Sequence, residues 1–171
     1  MMWRLLPFTA ERGAMNMAID EAVAEAVGSG ASRPTIRFYS WSPGAVTLGC
    51  FQSIDEVDVG ACAQHGVDIV RRRTGGGAVY HDPEGEITYS VIAPEHVFGH
   101  DIPSSYHQVC GCVIDALQLL GVGSRFRPVN DIEVGGRKIS GSAQTRRGGV
   151  FLQHGTLLLS FDAHRMSSLL R

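Results

Sequence analysis

The sequence predicts an α+β domain built on a mixed sheet covered by helices. Three observations carry this expectation. Stretches of alternating or β-branched residues are interleaved with stretches of helical period, without the strict βαβ order of a parallel sheet. The chain has 171 residues, 44% of them hydrophobic and 19% charged, which is the composition of a globular protein. A chain of about 150 residues buries roughly 70% of its unfolded surface, so a single core is expected, with one domain over residues 1–171.

Met15 to Val27 is expected to be helical, because Met15, Ala18, Ile19, Ala22, Val23 and Ala26 recur on one face while Asp20, Glu21 and Glu25 point elsewhere; Gly28-Ser29-Gly30 ends it. Thr35 to Trp41 reads as a strand stopping at Ser42-Pro43-Gly44, and Ala45 to Leu48 as a second short strand. Asp55 to His65 reads as a short helix closed by Gly66, followed by a buried strand from Val67 to Val70. That strand runs into Arg71-Arg72-Arg73 and, after Thr74, into Gly75-Gly76-Gly77; alternation resumes in Ala78-Val79-Tyr80. Glu86 to Ala93 is a further strand, ended by Pro94.

Tyr106 to Leu120 carries the stripe Val109, Cys112, Val113, Ala116, Leu117 and Leu120, with Ser105 and Gln108 as a capping box and Gly121 as the stop. Asp131 to Gly141 reads as a hairpin turning at Gly135-Gly136. Ala143 to Phe161 reads as strand interrupted by Gly148-Gly149, with Leu157 to Leu159 buried on both faces. Asp162 is the expected N-cap of a last helix.

Composition narrows the function. With 17 acidic and 15 basic residues the net charge is -2, which offers no electrostatic footprint for nucleic acid. The opening MMWRLLPFTAERG lacks the apolar stretch of a signal peptide, and no run approaches the roughly 18 apolar residues of a membrane span. A cytoplasmic protein with no membrane partner is expected. Cys50, Cys62, Cys110 and Cys112 show no CxxC spacing, and the seven histidines no HExxH, so reduced thiols and no structural metal are expected.

Of the 15 basic residues only Lys138 is Lys. It reads either as an exposed hairpin lysine or as a position where Arg fails. A compact ammonium suits a place where a carboxylate and a phosphate meet and negative charge builds between them. Arg71 to Gly77 likewise has two readings: a glycine-rich turn with solvated arginines, or an anion site in which bare backbone N–H groups approach a phosphate. It is neither a Walker A loop nor a Rossmann fingerprint, since Gly-Lys-Ser/Thr is absent and Tyr80 stands where the third fingerprint Gly belongs. Asn130-Asp131 is an ordinary turn pair or a source of oxygen ligands for Mg²⁺. His154, in an apolar strand, is a satisfied core histidine or a site residue.

Three ordered stretches, RRRTGGGAVYHD (Arg71 to Asp82), NDIEVGGRKISGSAQ (Asn130 to Gln144) and LQHGTLLL (Leu152 to Leu159), with MNMAIDEA near the start, resemble the lipoate-protein ligase family. The resemblance covers nearly the whole chain. It implies a mostly antiparallel sheet flanked by helices, like the catalytic domains of class II aminoacyl-tRNA synthetases and biotin protein ligases. It also implies that Arg72 and the segment Gly77, Ala78, Val79 and Tyr80 bind ATP, with Arg71, Gly75 and Gly76 in the same nucleotide-binding loop. Lys138 would contact both the lipoate carboxylate and the adenylate phosphate, Asn130 and Asp131 would lie near the phosphates and Mg²⁺, and His154 near the acyl chain.

The implied reaction converts lipoate or octanoate and ATP into acyl-AMP. The acyl group then passes to a lysine of a lipoyl-domain acceptor protein of the 2-oxoacid dehydrogenase or glycine cleavage type. The same family contains octanoyltransferases that use no ATP and carry the acyl chain on a cysteine close to the Asn130-Asp131 segment or just before the His-Gly pair. No residue from Gly121 to Arg171 is Cys, which favours the ligase. Cys112, on the apolar stripe, is expected to be a small buried hydrophobe. The family's catalytic domain normally continues past the LQHGTLLL strand, so a domain incomplete at its C-terminus, or completed by an accessory polypeptide, is expected. Two other classes stand beside these: a non-catalytic protein that binds lipoate or an adenylate, and a lipoyl carrier modified at Lys138. A carrier, however, is a small all-β unit with no need of a phosphate loop.

Overall fold

The computed structural model describes residues 1–171. Its main sheet runs in the order β1 (Arg4–Leu5), β3 (Thr35–Trp41), β7 (Glu86–Pro94), β11 (Val150–Leu158), β10 (Arg137–Arg147), β9 (Asp131–Val134) and β8 (Arg125–Arg127), with β2 (Thr9–Glu11) also paired to β3. Only β1 and β2 run parallel to β3; every other pairing in this sheet is antiparallel. A smaller sheet places β4 (Ala45–Leu48) between a parallel β5 (Asp68–Arg71) and an antiparallel β6 (Val79–His81). The expected mixed, mostly antiparallel α+β architecture is the one observed. No helix is long and apolar enough to cross a membrane.

The period-2 alternation of β11 sorts the two faces of the main sheet. Val150 and Leu152 pack with Ile92 against Val23 and Val27 of helix α1 (Gly13–Gly28). Phe151 faces the other way and packs with Tyr89 against Val109 of α3 (Ile102–Leu119). Cys110 and Leu117 of α3 then cover Ile132 of β9. Each such large apolar side chain contributes about 1.5–3 kcal/mol by leaving water.

Helix α1 buries a different face from the one its apolar spacing suggests. Its buried residues are Gly13, Asn16, Asp20, Val23 and Val27, whereas Met15 is 51% exposed. The cause is Arg37 of β3, which lies under the helix. Its guanidinium donates to Asp20 Oδ1 and to the Asn16 carbonyl, both at 3.0 Å, and to Asn16 Oδ1. A buried cation requires partners, so polar residues occupy the inward positions.

Other boundaries shift for local reasons. Helix α3 starts a turn before the expected Tyr106, because Asp101 accepts from the Ser104 N–H at 2.8 Å and Pro103 fits the first turn. Ser105 is therefore inside the helix and no capping box forms. The expected Asp55–His65 helix divides into a 3-10 turn (Ile54–Glu56) and α2 (Val59–Gln64), which is capped by Asp58. Gly148 and Gly149, at φ +57° and +75°, turn the chain back, so the last long stretch is the partner strand of β10. Leu159 is 63% exposed, against the expected burial on both faces. Gly135-Gly136 turns the β9–β10 hairpin, and Asp162 caps α4 (Ala163–Leu169), both as expected. β1, β2 and β8 are too short to show a period and were not predicted.

Replacing Arg37 by Met strands the Asp20 carboxylate among buried groups. We expect urea denaturation to report a loss of about 3–5 kcal/mol, the cost of breaking a buried pair from one side.

Candidate functional site

The turn after β5 is organised by Arg72, which is 6% exposed. Its Nε donates to Thr74 Oγ1 at 3.1 Å and its Nη2 to the carbonyls of Gly75 at 2.6 Å and Gly77 at 2.8 Å. Its Nη1 donates to the carbonyl and hydroxyl of Thr47 at 3.0 and 3.2 Å. Burial lowers the guanidinium pKa from its ordinary value. A trans peptide sets its C=O and N–H on opposite sides, so turning the Gly75 and Gly77 carbonyls inward aims the Gly76 and Ala78 N–H groups outward, as an anion nest requires. Arg71 braces the facing loop, donating to the carbonyls of Gly49 at 2.8 Å and Gln52 at 2.7 Å. The Cys50 N–H closes the seam on the Thr74 carbonyl at 2.9 Å.

This loop caps the α1 face of the main sheet. The Thr74 hydroxyl lies 2.7 Å from Nε2 of His154 on β11, whose Nδ1 is 3.5 Å from Asp20 Oδ2. His154 pairs with Ala143 on β10, and the next rung on this face is Thr156 with Gly141. Gly141 in turn pairs with Asp131 on β9. Lys138 belongs to this group because of a bulge. Counting back two residues from Ser140, which faces α3 opposite Leu157, would put Lys138 on the α3 side. The register shift between Lys138 and Ser140 instead pairs Lys138 with Glu133, which turns it to the face of Asp131. Its ammonium is 2.8 Å from Asp131 Oδ1 and half-exposed, and its side chain lies over Gly141, where an added Cβ would meet Cε at 2.9 Å.

Asn130 is tied down twice. Its carbonyl accepts from the Ser142 N–H at 3.0 Å, and its Nδ2 donates to the Ser142 carbonyl. The Oδ1 atom makes no hydrogen bond within the protein. No group of three His, Cys, Asp or Glu side chains is arranged to hold a metal by itself. One carboxylate and one amide oxygen fit Mg²⁺, which takes most of its ligands from water and substrate phosphates.

Beyond His154 an open groove of about 900 Å³ continues along the same face. Leu152, Val150 and Thr145 line its floor, Ala22 and Ala26 of α1 its wall, and the Arg73–Glu21 ion pair lies at its edge. The face thus carries Lys138 at one end and, farther along, a groove with an Ala, Val and Leu lining whose other lining residues include Glu21, Glu25, Arg73 and Arg147; the Gly141 and Ala143 positions are two residues, roughly 7 Å of strand, apart.

The thiols are distributed differently from expectation. Cys112 is exposed and Cys110 is buried. Cys110 lies on the α3 side of the sheet, 3.8 Å from the Ser142 hydroxyl. Burial pushes its thiol pKa up and that of neighbouring Tyr89 up to about 12. Cys62 is buried in the small-sheet core, and Cys50, half-buried beside the glycine loop, is the cysteine nearest this site. The structure therefore brings Lys138, Asn130 and Asp131 together at one end of the face, and Arg71, Arg72, Gly75 to Tyr80 and His154 around the loop. Tyr80 is buried and packs in the small-sheet core. Sequence reasoning missed Asp20, Thr47, Gly49 and Thr74. Thr74 sits inside RRRTGGG and Asp20 inside MNMAIDEA, so the motifs held the signal without the contacts.

Comparison with known proteins finds relatives of the same family and fold. A family model described as the lipoyl protein ligase A/B catalytic domain matches residues 12–171. An octanoyltransferase LipM from Symbiobacterium thermophilum is 40% identical over 192 aligned residues, covering 99% of this chain and 69% of the relative. The crystal structure of lipoate-protein ligase A bound with ATP has a TM-score of 0.88 at 34% identity, covering 100% of this chain and 72% of that one. A chain from the archaeal lipoylation system of Thermoplasma acidophilum, described as a bi-partite lipoate protein ligase and its E2 lipoyl domain, gives 0.87 at 32% identity, covering 100% and 67%.

Two outcomes test the geometry. A Cβ on Gly49 would lie 2.0 Å from the Gly76 carbonyl oxygen, so Gly49→Ala should displace the glycine loop. We expect faster amide exchange at Cys50, whose N–H bonds the Thr74 carbonyl, and a stability loss of about 1–3 kcal/mol, as for overpacking. Iodoacetamide applied to the native protein should label Cys112 and spare Cys110 and Cys62, because burial raises both of these pKa values. Labelling of native Cys110 would contradict the placement of α3.

Proposed function

The chain belongs to the lipoyl protein ligase A/B family, and within it we propose that this enzyme is an ATP-dependent lipoate-protein ligase, activating lipoate or octanoate as acyl-AMP and transferring it to a lysine. The observation that carries the reading is the bulge at Lys138. It sets the chain's sole lysine ammonium on the sheet face over which the glycine loop closes, ahead of a groove floored by Leu152 and Val150.

In this reading the acyl chain lies along Leu152 and Val150, past His154, with its carboxylate at Lys138. The outward N–H groups of Gly76 and Ala78 receive the phosphates. A carboxylate oxygen bonds to the α-phosphorus as the bond to pyrophosphate breaks, and Lys138 lies against the charge that builds between them. Asn130 Oδ1 and Asp131 are the residues that would hold Mg²⁺, which would offset phosphate charge. In the second step the neutral amine of the acceptor lysine attacks the acyl carbon, AMP leaves and the surplus proton of the amine passes to solvent, giving the amide. We propose a lipoyl-domain protein as acceptor, supported by the E2 lipoyl domain described with the Thermoplasma acidophilum ligase. We further propose a cytoplasmic location and an accessory polypeptide that completes the site, as the description of that ligase as bi-partite suggests.

The second reading is an octanoyltransferase that uses no ATP, favoured by the name of the 40% identical relative. It needs a nucleophilic thiol. Cys110 lies across the sheet from Lys138 with its pKa raised, which leaves Cys50 beside the glycine loop as the candidate.

The readings separate in an ATP–pyrophosphate exchange assay with lipoate, run with and without the candidate accessory polypeptide. We expect lipoate-dependent exchange, reduced about 10²–10³-fold in Lys138→Arg with the thermal midpoint unchanged. Near-normal exchange in that variant would sink the assignment. Octanoyl transfer without ATP that is abolished by Cys50→Ser would establish the second reading.

A further inference from the structure

Behind Arg72, in the seam between the two sheets, lies a row of buried polar groups that the reaction does not use. Thr47 of β4, His81 of β6, and Glu86 and Thr88 of β7 are each no more than 5% exposed, as is Trp41 of β3. Arg72 Nη1 donates to the Thr47 hydroxyl oxygen at 3.2 Å, leaving the hydroxyl hydrogen for His81 Nε2 at 2.9 Å. Glu86 Oε1, 2.7 Å from Nδ1, accepts the ring proton there, so in the neutral ring Nε2 is assigned as the acceptor of the Thr47 hydrogen. Trp41 Nε1, at 3.1 Å, and the Thr88 hydroxyl, at 2.7 Å, both donate to the same carboxylate oxygen. The Trp41 ring stacks on His81 with centroids 4.1 Å apart and planes 19° apart.

We propose that Thr47, His81 and Glu86 are positioning residues that set the orientation of Arg72 and, through it, the outward N–H array of the glycine loop. The argument is one of direction. Arg72 reaches the Gly75 and Gly77 carbonyls only if its plane is fixed. The Thr47 hydroxyl is oriented to accept from Arg72 because its own hydrogen is committed to His81. His81 is held in that tautomer by Glu86, and its ring plane by Trp41. A main-sheet carboxylate thereby sets the direction of a hydrogen bond at the edge of the small sheet. The inference rests on the reading of the glycine loop as the phosphate-binding element, though its structural consequence is measurable without a nucleotide.

Thr47→Val removes the hydroxyl and keeps the volume and the Thr47 carbonyl. Thr47→Ser keeps the hydroxyl and serves as the rescue, and His81→Phe breaks the chain one link farther back. In the ligand-free protein, amide exchange at Cys50, whose N–H bonds the Thr74 carbonyl of the loop at 2.9 Å, should rise about tenfold in Thr47→Val and His81→Phe, and stay at the wild-type rate in Thr47→Ser. Calorimetric titration should give an ATP Kd raised about tenfold in the first two variants, with lipoate affinity within about twofold of wild type. Wild-type exchange at Cys50 in folded Thr47→Val overturns the proposal, and so does an equal loss of ATP and lipoate binding. Faster exchange at Cys50 in Thr47→Val and His81→Phe, with a wild-type protein that binds no ATP, supports the positioning role and overturns the ligase reading instead.

Discussion

A single buried guanidinium shapes the site. Arg72 has five N–H donors that water cannot reach, and a cation in that position is tolerated only if nearly all of them find oxygen. The loop that follows it supplies three of those oxygens, from Thr74, Gly75 and Gly77, and Thr47 supplies two more. Satisfying the arginine therefore dictates which way the loop peptides face, and the outward N–H groups follow from that. Glycine is needed for close approach, because Gly49 and Gly76 come too near for a Cβ on Gly49, and for backbone freedom, because Gly76 adopts φ +92°.

The second constraint is the two-sidedness of the main sheet. On one face Ser140, Ser142, Gln153, Tyr89 and Cys110 form a buried polar layer under α3. On the other, Lys138, Gly141, Ala143 and His154 line the floor beneath the loop. One bulge decides on which of these two faces the chain's only lysine lies. Without it the ammonium would point to the α3 side and the β9–β10 hairpin would be only a hairpin. The same geometry bears on the chemistry, because the Cys110 thiol lies on the wrong side of the sheet to exchange an acyl group with anything held at Lys138.

The loop and the sheet are joined through polar contacts of low exposure. Thr74 meets His154, His154 approaches Asp20, and Asp20 is shared by Arg37, Ser90 and Tyr39. Such an interior costs stability relative to an apolar one, since each charge must be desolvated and then matched. What it contributes is fixed direction. A helix held by Arg37 and Asp20 cannot rotate about its axis without leaving a charge unpaired, and the wall of the groove lined by Ala22 and Ala26 stays where the helix puts it.

Much of this was legible in the sequence. Strand and helix periods, the Gly135-Gly136 turn, the cap at Asp162, the RRRTGGG loop and the solitary Lys138 are local features, written within a few residues and set by backbone sterics and side-chain period. The family resemblance ordered them into one kind of enzyme. What the sequence could not carry were contacts between residues far apart in the chain: Arg72 with Thr47, Thr74 with His154, Arg37 with Asp20. The Arg37 contact turned a different face of α1 inward, and the contacts of Asp20 gave it a place beside His154. The face on which Lys138 lies was settled by strand register, a pairing between β9 and β10 that no alternation within either strand specifies. Local sterics and periodicity determine elements, whereas burying a charge requires partners from elsewhere in the fold, so only the tertiary structure decides which residues meet.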